Sequence, residues 1–247
     1  MASDWLLLRG LTRESAHWGD FVAKLQTAFP DSNIHCLDLL GSGEFYQQPS
    51  PCSIDEITKQ LRLHALNKSW LNKKIRLLSI SLGGMVAWQW MQTYPNDIQS
   101  AVLINSSLAG LNPFYQRLRW QCYGKLARII AASDIEAQEL AIIKLISNLD
   151  AKHESLALQW AEIQRLRPIS KKNALRQLIA AARYHPTLSK PIPPVLLLAG
   201  LGDKLVSPDC SKTISQQYDL PLITHPWAGH DLCIDDGDWV IEQLQTI

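Results

Sequence analysis

Several things are missing from this 247-residue chain, and each absence removes a class of function. No run approaches the roughly eighteen apolar residues that a membrane-crossing helix needs, so no transmembrane span is expected. The opening MASDWLLLRG has no basic leader and only a short apolar run, so it does not read as a secretory signal. The five cysteines (Cys36, Cys52, Cys122, Cys210, Cys233) are odd in number and include no CxxC pair. They are expected to be reduced, structural thiols in a cytoplasmic protein. There is no internal repeat and no low-complexity segment. A net charge of +1 gives no global field for nucleic acid, and no nucleic-acid motif accompanies the scattered basic residues. What remains is 47% hydrophobic, enough for one substantial core and against extended disorder.

The chain is organised around Lys74–Tyr94. Ile75-Arg76-Leu77-Leu78 has the length of a buried strand. Gly83–Met91 is apolar all round, as a helix packed on a sheet would be, and places Trp88 and Trp90 in the core. Between them lies Ser79-Ile80-Ser81-Leu82-Gly83, a serine with small residues two before and two after it. A strand that turns at once into a helix, with small neighbours to permit the bend, is the setting of a nucleophile elbow. Ser81 fits better than Ser79, because centring on Ser79 would put Leu77 where a small residue is required.

Other strands are expected at Trp5–Leu8, Ile34–Leu39, Ala101–Ile104, Pro194–Ala199 and Leu222–Thr224. Helices are expected at Ser15–Phe29, Ser53–Trp70 (Ser53 and Glu56 at capping-box spacing), Ser207–Tyr218 and Asp235–Ile247. Alternating strands and helices mean a parallel sheet covered on both faces. Residues 107–189 hold no convincing strand but repeated helical patterns: Phe114–Ala132, a helix opened by a capping box at Ser133-Asp134-Ile135-Glu136, Glu154–Leu166 and Ser170–Tyr184. The division expected is a core of residues 1–106 and 190–247 with a helical lid, 107–189, inserted in it.

With Ser81, then an Asp and a His later in the chain, the sequence resembles the α/β-hydrolase superfamily over nearly its whole length. Leu37-Asp38-Leu39-Leu40-Gly41-Ser42-Gly43 is similar to that family's D-x-P-G-x-G turn, and Ala228-Gly229-His230 to the setting of its histidine. The resemblance implies six strands in family order 4-3-5-6-7-8, the first two family strands being absent. It implies Ser81 as nucleophile, His230 as base and Asp203 as the acid after the strand that follows the lid. The oxyanion would be held by the N–H groups of Leu11 and Leu82. Two departures stand out. Ser79 replaces a glycine of the elbow, and Arg9 replaces a histidine before the oxyanion loop, either altering how that loop is held or placing positive charge near the site. His17 and Trp18 are further candidates to line the pocket. Asp235, Asp236 and Asp238 read as an acidic helix start, with Asp235 or Asp236 a remote substitute for the triad acid. No metal and no cofactor are implied.

Charge is unevenly spread. From Ser107 to Lys190 there are thirteen Lys/Arg against six Asp/Glu, a net of +7, leaving −6 on the remainder. Solvated helical faces would explain this; so would an acidic partner, for which Arg117, Arg128, Arg165 and Arg176 are candidate contacts. The layout is similar to serine esterases of the BioH type, which cleave the methyl ester of pimeloyl-acyl carrier protein in biotin synthesis. The expected activity is carboxylic ester hydrolysis through an acyl-enzyme, by a monomer, on that ester or on a general short-chain ester or thioester. A binding protein that kept the fold without catalysis is the alternative from another class.

Overall fold

In the computed structural model, which describes residues 3–247, six strands form one sheet: β1 (Trp5–Leu8), β2 (Ile34–Leu37), β3 (Ile75–Ile80), β4 (Ile98–Ile104), β5 (Val195–Gly200) and β6 (Leu222–His225). Every pair is parallel, and the spatial order is β2-β1-β3-β4-β5-β6. This is the order expected, with β2 at one edge. Parallel strands bury both faces, which is why WLLL and VLLLA read as unbroken apolar runs.

Helices α1 (Phe21–Ala28), α2 (Ile54–Asn67) and α3 (Leu82–Thr93) precede β4. Between β4 and β5 come α4 (Phe114–Arg117), α5 (Tyr123–Ala131), α6 (Ile135–Ile146), α7 (His153–Leu166) and α8 (Lys171–Arg183). After β5 come α9 (Asp209–Tyr218), α10 (Leu232–Asp235) and α11 (Gly237–Leu244). Trp5, Leu7, Leu78, Val102 and Leu196 pack with α1 and α11 on one face of the sheet. Leu6, Leu8, Leu77, Leu103 and Leu197 pack with α2, α3 and α9 on the other. Trp88 and Trp90 are fully buried in that second core. The inserted helices have a small core of their own, built from Cys122, Ile129, Ile143, Ile146 and Trp160.

Several helices differ from expectation for local reasons. The Ser15–Phe29 helix is interrupted: Ser15–Trp18 is a 3-10 turn, and Gly19 at φ 55 separates it from α1. The Phe114–Ala132 helix breaks at Leu118 and Arg119, which are extended, because Arg119 N–H bonds Leu205 O. Ser53 starts α2, but its hydroxyl makes no capping bond. Asp134, not Ser133, caps α6 by accepting from Ala137 N–H. The closing helix expected from Asp235 begins instead at Gly237, where the Asp236 carboxylate caps α11 by accepting from Trp239 N–H.

Candidate active site

The chain turns from β3 into α3 at Ser81, whose φ of 55 and ψ of −114 are unusual for a residue with a side chain. Such backbone costs of order 1–3 kcal/mol and persists only where its surroundings hold it. Here Ser81 N–H bonds Ile104 O at 2.9 Å, and Ser81 O accepts from Gly84 N–H and from Ser106 Oγ, both at 2.9 Å. Two glycines allow the close approach of the neighbouring loop. A β-carbon on Gly83 would stand 2.6 Å from Leu8 O and 2.7 Å from Arg9 O. One on Gly10 would stand 3.2 Å from Ser81 Cβ. The Gly10–Thr12 loop therefore lies against the serine. Among the described residues the Leu11 N–H has no hydrogen-bond partner. Leu82, first in α3, has a donor that no helical carbonyl can reach. Gln177 of α8 steadies the loop by accepting from Thr12 N–H at 2.9 Å.

Asp203 follows β5 and is buried, as is His230. One carboxylate oxygen of Asp203 accepts from the N–H groups of Leu205 (2.7 Å) and Val206 (2.9 Å). The other is 2.7 Å from His230 Nδ1. An ionised carboxylate only accepts, so Nδ1 carries the proton and Nε2 is left with its lone pair. The histidine loop is pinned from three sides. Asn105, the residue after β4, donates to Gly229 O and His230 O at 3.0 and 2.8 Å. Asp235 accepts from Gly229 N–H at 2.6 Å. Asp231 N–H bonds Ile146 O of α6. The elbow and the histidine loop thus both hang on the end of β4, through Ile104 and Asn105. In this structure Ser81 Oγ and His230 make no hydrogen bond to each other; such contacts often tighten only when substrate is bound.

Arg9 is buried, and its Nη2 meets Asp231 Oδ2 at 2.5 Å while its guanidinium lies 4.7 Å over the Trp18 ring. It is no loose positive charge; it ties the oxyanion loop to the residue beside His230. His17 and Trp18 are buried packing residues rather than an open lining: His17 sits edge-on to Trp160, and Trp18 stacks on Phe21. Burial, then Arg13 and Arg9, hold the His17 pKa well below the usual histidine range, so His17 is neutral. Arg13 pairs with Glu139 of α6 at 2.7 Å, and Arg167 makes a two-pronged pair with buried Glu14, tying the insertion to the core.

The remaining candidates sit elsewhere. Arg117 is half-buried and donates to Ala181 O at 2.7 Å; Arg176 donates to Ser50 O at 3.1 Å. Arg165 pairs with Glu136 and Glu162. Of the four arginines expected to meet an acidic partner, only Arg128 is both exposed and without such a bond. Asp236 caps a helix, Asp238 pairs with Lys24, and Asp235 accepts from Ser147 Oγ as well as Gly229 N–H. These carboxylates diverge, and among the described residues no three His, Cys, Asp or Glu side chains converge as a metal site would require. All five cysteines are free. Burial pushes the Cys36 thiol up to about 11 and the Cys210 thiol up to about 12, which removes them as nucleophiles at neutral pH. An open groove of about 670 Å³ beside Lys144, His153 and Lys204 includes none of Ser81, Asp203 or His230 in its lining.

Asn105, Gln177 and Asp231 position this site and were not foreseen. For Asn105 the one available signal is a polar residue ending an apolar strand. Gln177 and Asp231 carry none, since their partners are remote in sequence.

Comparison with known proteins bears on the family and the fold. A sequence model described as "Alpha/beta hydrolase family" matches residues 5–243. A Bacillus subtilis (strain 168) protein named "Putative 2-succinyl-6-hydroxy-2,4-cyclohexadiene-1-carboxylate synthase" is 29% identical over 140 residues, 53% of this chain and 46% of that one. The match thus spans about half the length of that relative. Among solved structures, a hydrolase from Pseudomonas aeruginosa PA01 superposes with a TM-score of 0.76 at 18% identity, covering 99% of this chain and 89% of that one. A thermophilic esterase from Thermogutta terrifontis gives 0.73 at 18% identity, covering 100% and 89%. The enol-lactonase of Burkholderia xenovorans LB400 gives 0.76 at 14%, covering 100% and 91%. At these identities the structures establish the fold, and the family model extends over all six strands: the chain belongs to the alpha/beta hydrolase family.

Proposed function

We propose that this protein is a serine hydrolase that cleaves carboxylic esters through an acyl-enzyme. Ser81 Oγ attacks the ester carbonyl while His230 Nε2 takes its proton, then passes that proton to the leaving alcohol. Water, deprotonated by the same nitrogen, releases the acid and restores the serine. Asp203 fixes the imidazole tautomer and stabilises the imidazolium. The N–H groups of Leu11 and Leu82 receive the oxyanion, a role in which one donor is typically worth a hundred- to a thousandfold in rate. The observation that carries this reading is the buried Asp203–His230 bond of 2.7 Å, on the sheet end that also bears a serine in strained backbone. Residues 107–189 act as the lid over the site, on a core of 1–106 and 190–247. No cofactor enters the chemistry.

The narrower substrate, the methyl ester of pimeloyl-acyl carrier protein, has the net +7 of the lid in its favour. It has less support from individual arginines, because Arg165 is paired with two glutamates and Arg117 and Arg176 are turned to backbone carbonyls of the chain itself. A carrier-linked ester should lose turnover with salt much faster than a small neutral ester, and equal salt response of the two rejects that substrate. The class itself is tested by a fluorophosphonate probe. Wild type should label and Ser81→Ala should not. Labelling of neither, with both folded, would favour a binding protein or a non-hydrolytic activity such as the synthase named for the Bacillus relative.

A further inference from the structure

Residues 120–131 run without a break through the 3-10 turn Trp120–Cys122 into α5. Three rows of side chains follow from helical spacing. Cys122, Leu126 and Ile129 form the inner row, packed on the small core of the insertion. Gln121, Lys125 and Arg128 form an exposed polar row. Trp120, Tyr123, Ala127 and Ile130 form a third row that is apolar and also exposed, with Trp120 63% and Ile130 60% accessible. A helix that only closes its own bundle would carry polar residues on its outer face. This one is apolar on two rows out of three.

The charged side chains within that segment have one sign. No Asp or Glu occurs from residue 98 to residue 133. The first acid beyond it, Asp134, accepts from Ala137 N–H as the α6 cap, and Glu136 pairs with Arg165. Lys171 adds a third base at the far end, where its Nζ donates to Ile130 O at 3.1 Å. The patch is therefore an apolar strip about 18 Å long, from twelve residues at helical rise, rimmed by Lys125, Arg128 and Lys171.

We infer that this face docks on an anionic lipid surface. The helix lies in the plane of the headgroups, with Trp120, Tyr123 and Ile130 beneath them and the three bases at phosphate level. Trp and Tyr, apolar bodies with one polar tip, are the side chains that settle at such a boundary. The same segment reaches the site. Arg119, next to Trp120, donates from Nη1 to Asp203 O at 2.6 Å, and Gln116 O accepts from Ser207 N–H. Docking would bring the wall of the Asp203 loop to the lipid, where amphiphilic esters reside. The docking itself does not depend on the chemistry proposed for Ser81.

The test is co-sedimentation of the full chain with vesicles of phosphatidylcholine alone and of phosphatidylcholine mixed with phosphatidylglycerol. Binding to the mixed vesicles should exceed binding to phosphatidylcholine by at least tenfold and weaken with salt. Arg128→Gln should lower it about fivefold, the worth of one base near an anionic surface. Trp120→Ser with Ile130→Ser should lower it at least tenfold, with unchanged melting because both side chains are exposed. Ser81→Ala should bind as wild type does. Equal binding to the two vesicles, no binding to either, or unaltered binding by the variants overturns the inference. So does a dimer seen by light scattering and lost on Trp120→Ser, which would assign the face to a second copy.

Discussion

Arg9 and Asp231 carry a design choice that neither residue announces alone. Arg9 ends β1 beside the Gly10–Thr12 loop, Asp231 adjoins His230, and their buried contact joins the two loops. Removing one partner from a buried pair leaves a charge without compensation, at about 3–5 kcal/mol. Asp231→Ala is therefore expected to destabilise by that amount in urea melts, whereas Arg9→Met combined with Asp231→Leu should recover much of the loss. Equal destabilisation by the single and double variants would contradict this account. In the sequence, Arg9 showed only as a departure from the family pattern. Its partner lies 222 residues away, and no local pattern encodes such a pairing. Ser81, Asp203 and His230 could be proposed from sequence because each follows an expected strand and because their order matches the one the family resemblance implies. For the four candidate arginines of residues 107–189 composition counts charge but does not see that Arg117 donates to Ala181 O or that Arg165 is shared by two glutamates, whereas Arg128 is exposed with no such bond.

Elements were legible wherever burial alone decides them. The runs Trp5–Leu8 and Val195–Gly200 have no polar residue to place, so their strand bounds came within a residue or two. Helices with an exposed face were harder, because a side-chain period continues across a backbone break. Gly19 divides one expected helix, and the Arg119 bonds to the Asp203 loop divide another. A close element contact is that of α3 against the end of β1, where a β-carbon at Gly83 would meet two backbone carbonyls that cannot rotate away. Gly83→Ala is expected to cost about 1–3 kcal/mol, as overpacking does. It should also lower activity more than stability, since the strain falls on the serine two residues before. A variant with wild-type melting and wild-type turnover would show that the approach is looser than described.

At the scale of the molecule, acid is the condition that should weaken the fold. Burial, then the charges of Arg13 and Arg9, depress the His17 pKa; burial also lowers that of His35. Both histidines bind protons more readily unfolded than folded. The unfolded chain gains a proton first as pH falls below about 6.5, so stability drops from that point down to the folded pKa. Each such histidine contributes a slope of up to about 1.4 kcal/mol per pH unit in that window. Melting temperature should be flat above neutrality and fall between pH 6.5 and 5, with a shallower fall for His17→Gln. An identical fall in that variant would move the acid sensitivity elsewhere. The sheet order was open to sequence reasoning through the family resemblance, and the helical insertion because residues 107–189 repeat helical patterns with no convincing strand. How the insertion is tied down, through Arg13–Glu139 and Arg167–Glu14, was not, since each pair joins segments more than a hundred residues apart.

The measurement that reaches the central claim most directly is rapid acid quench of the enzyme with a p-nitrophenyl ester, followed by peptide mass analysis. The account predicts a burst of about one nitrophenolate per chain and the mass of the acyl group on the peptide holding Ser81, both absent in Ser81→Ala. Turnover with no burst and no adduct, or an adduct that survives in Ser81→Ala, would contradict it.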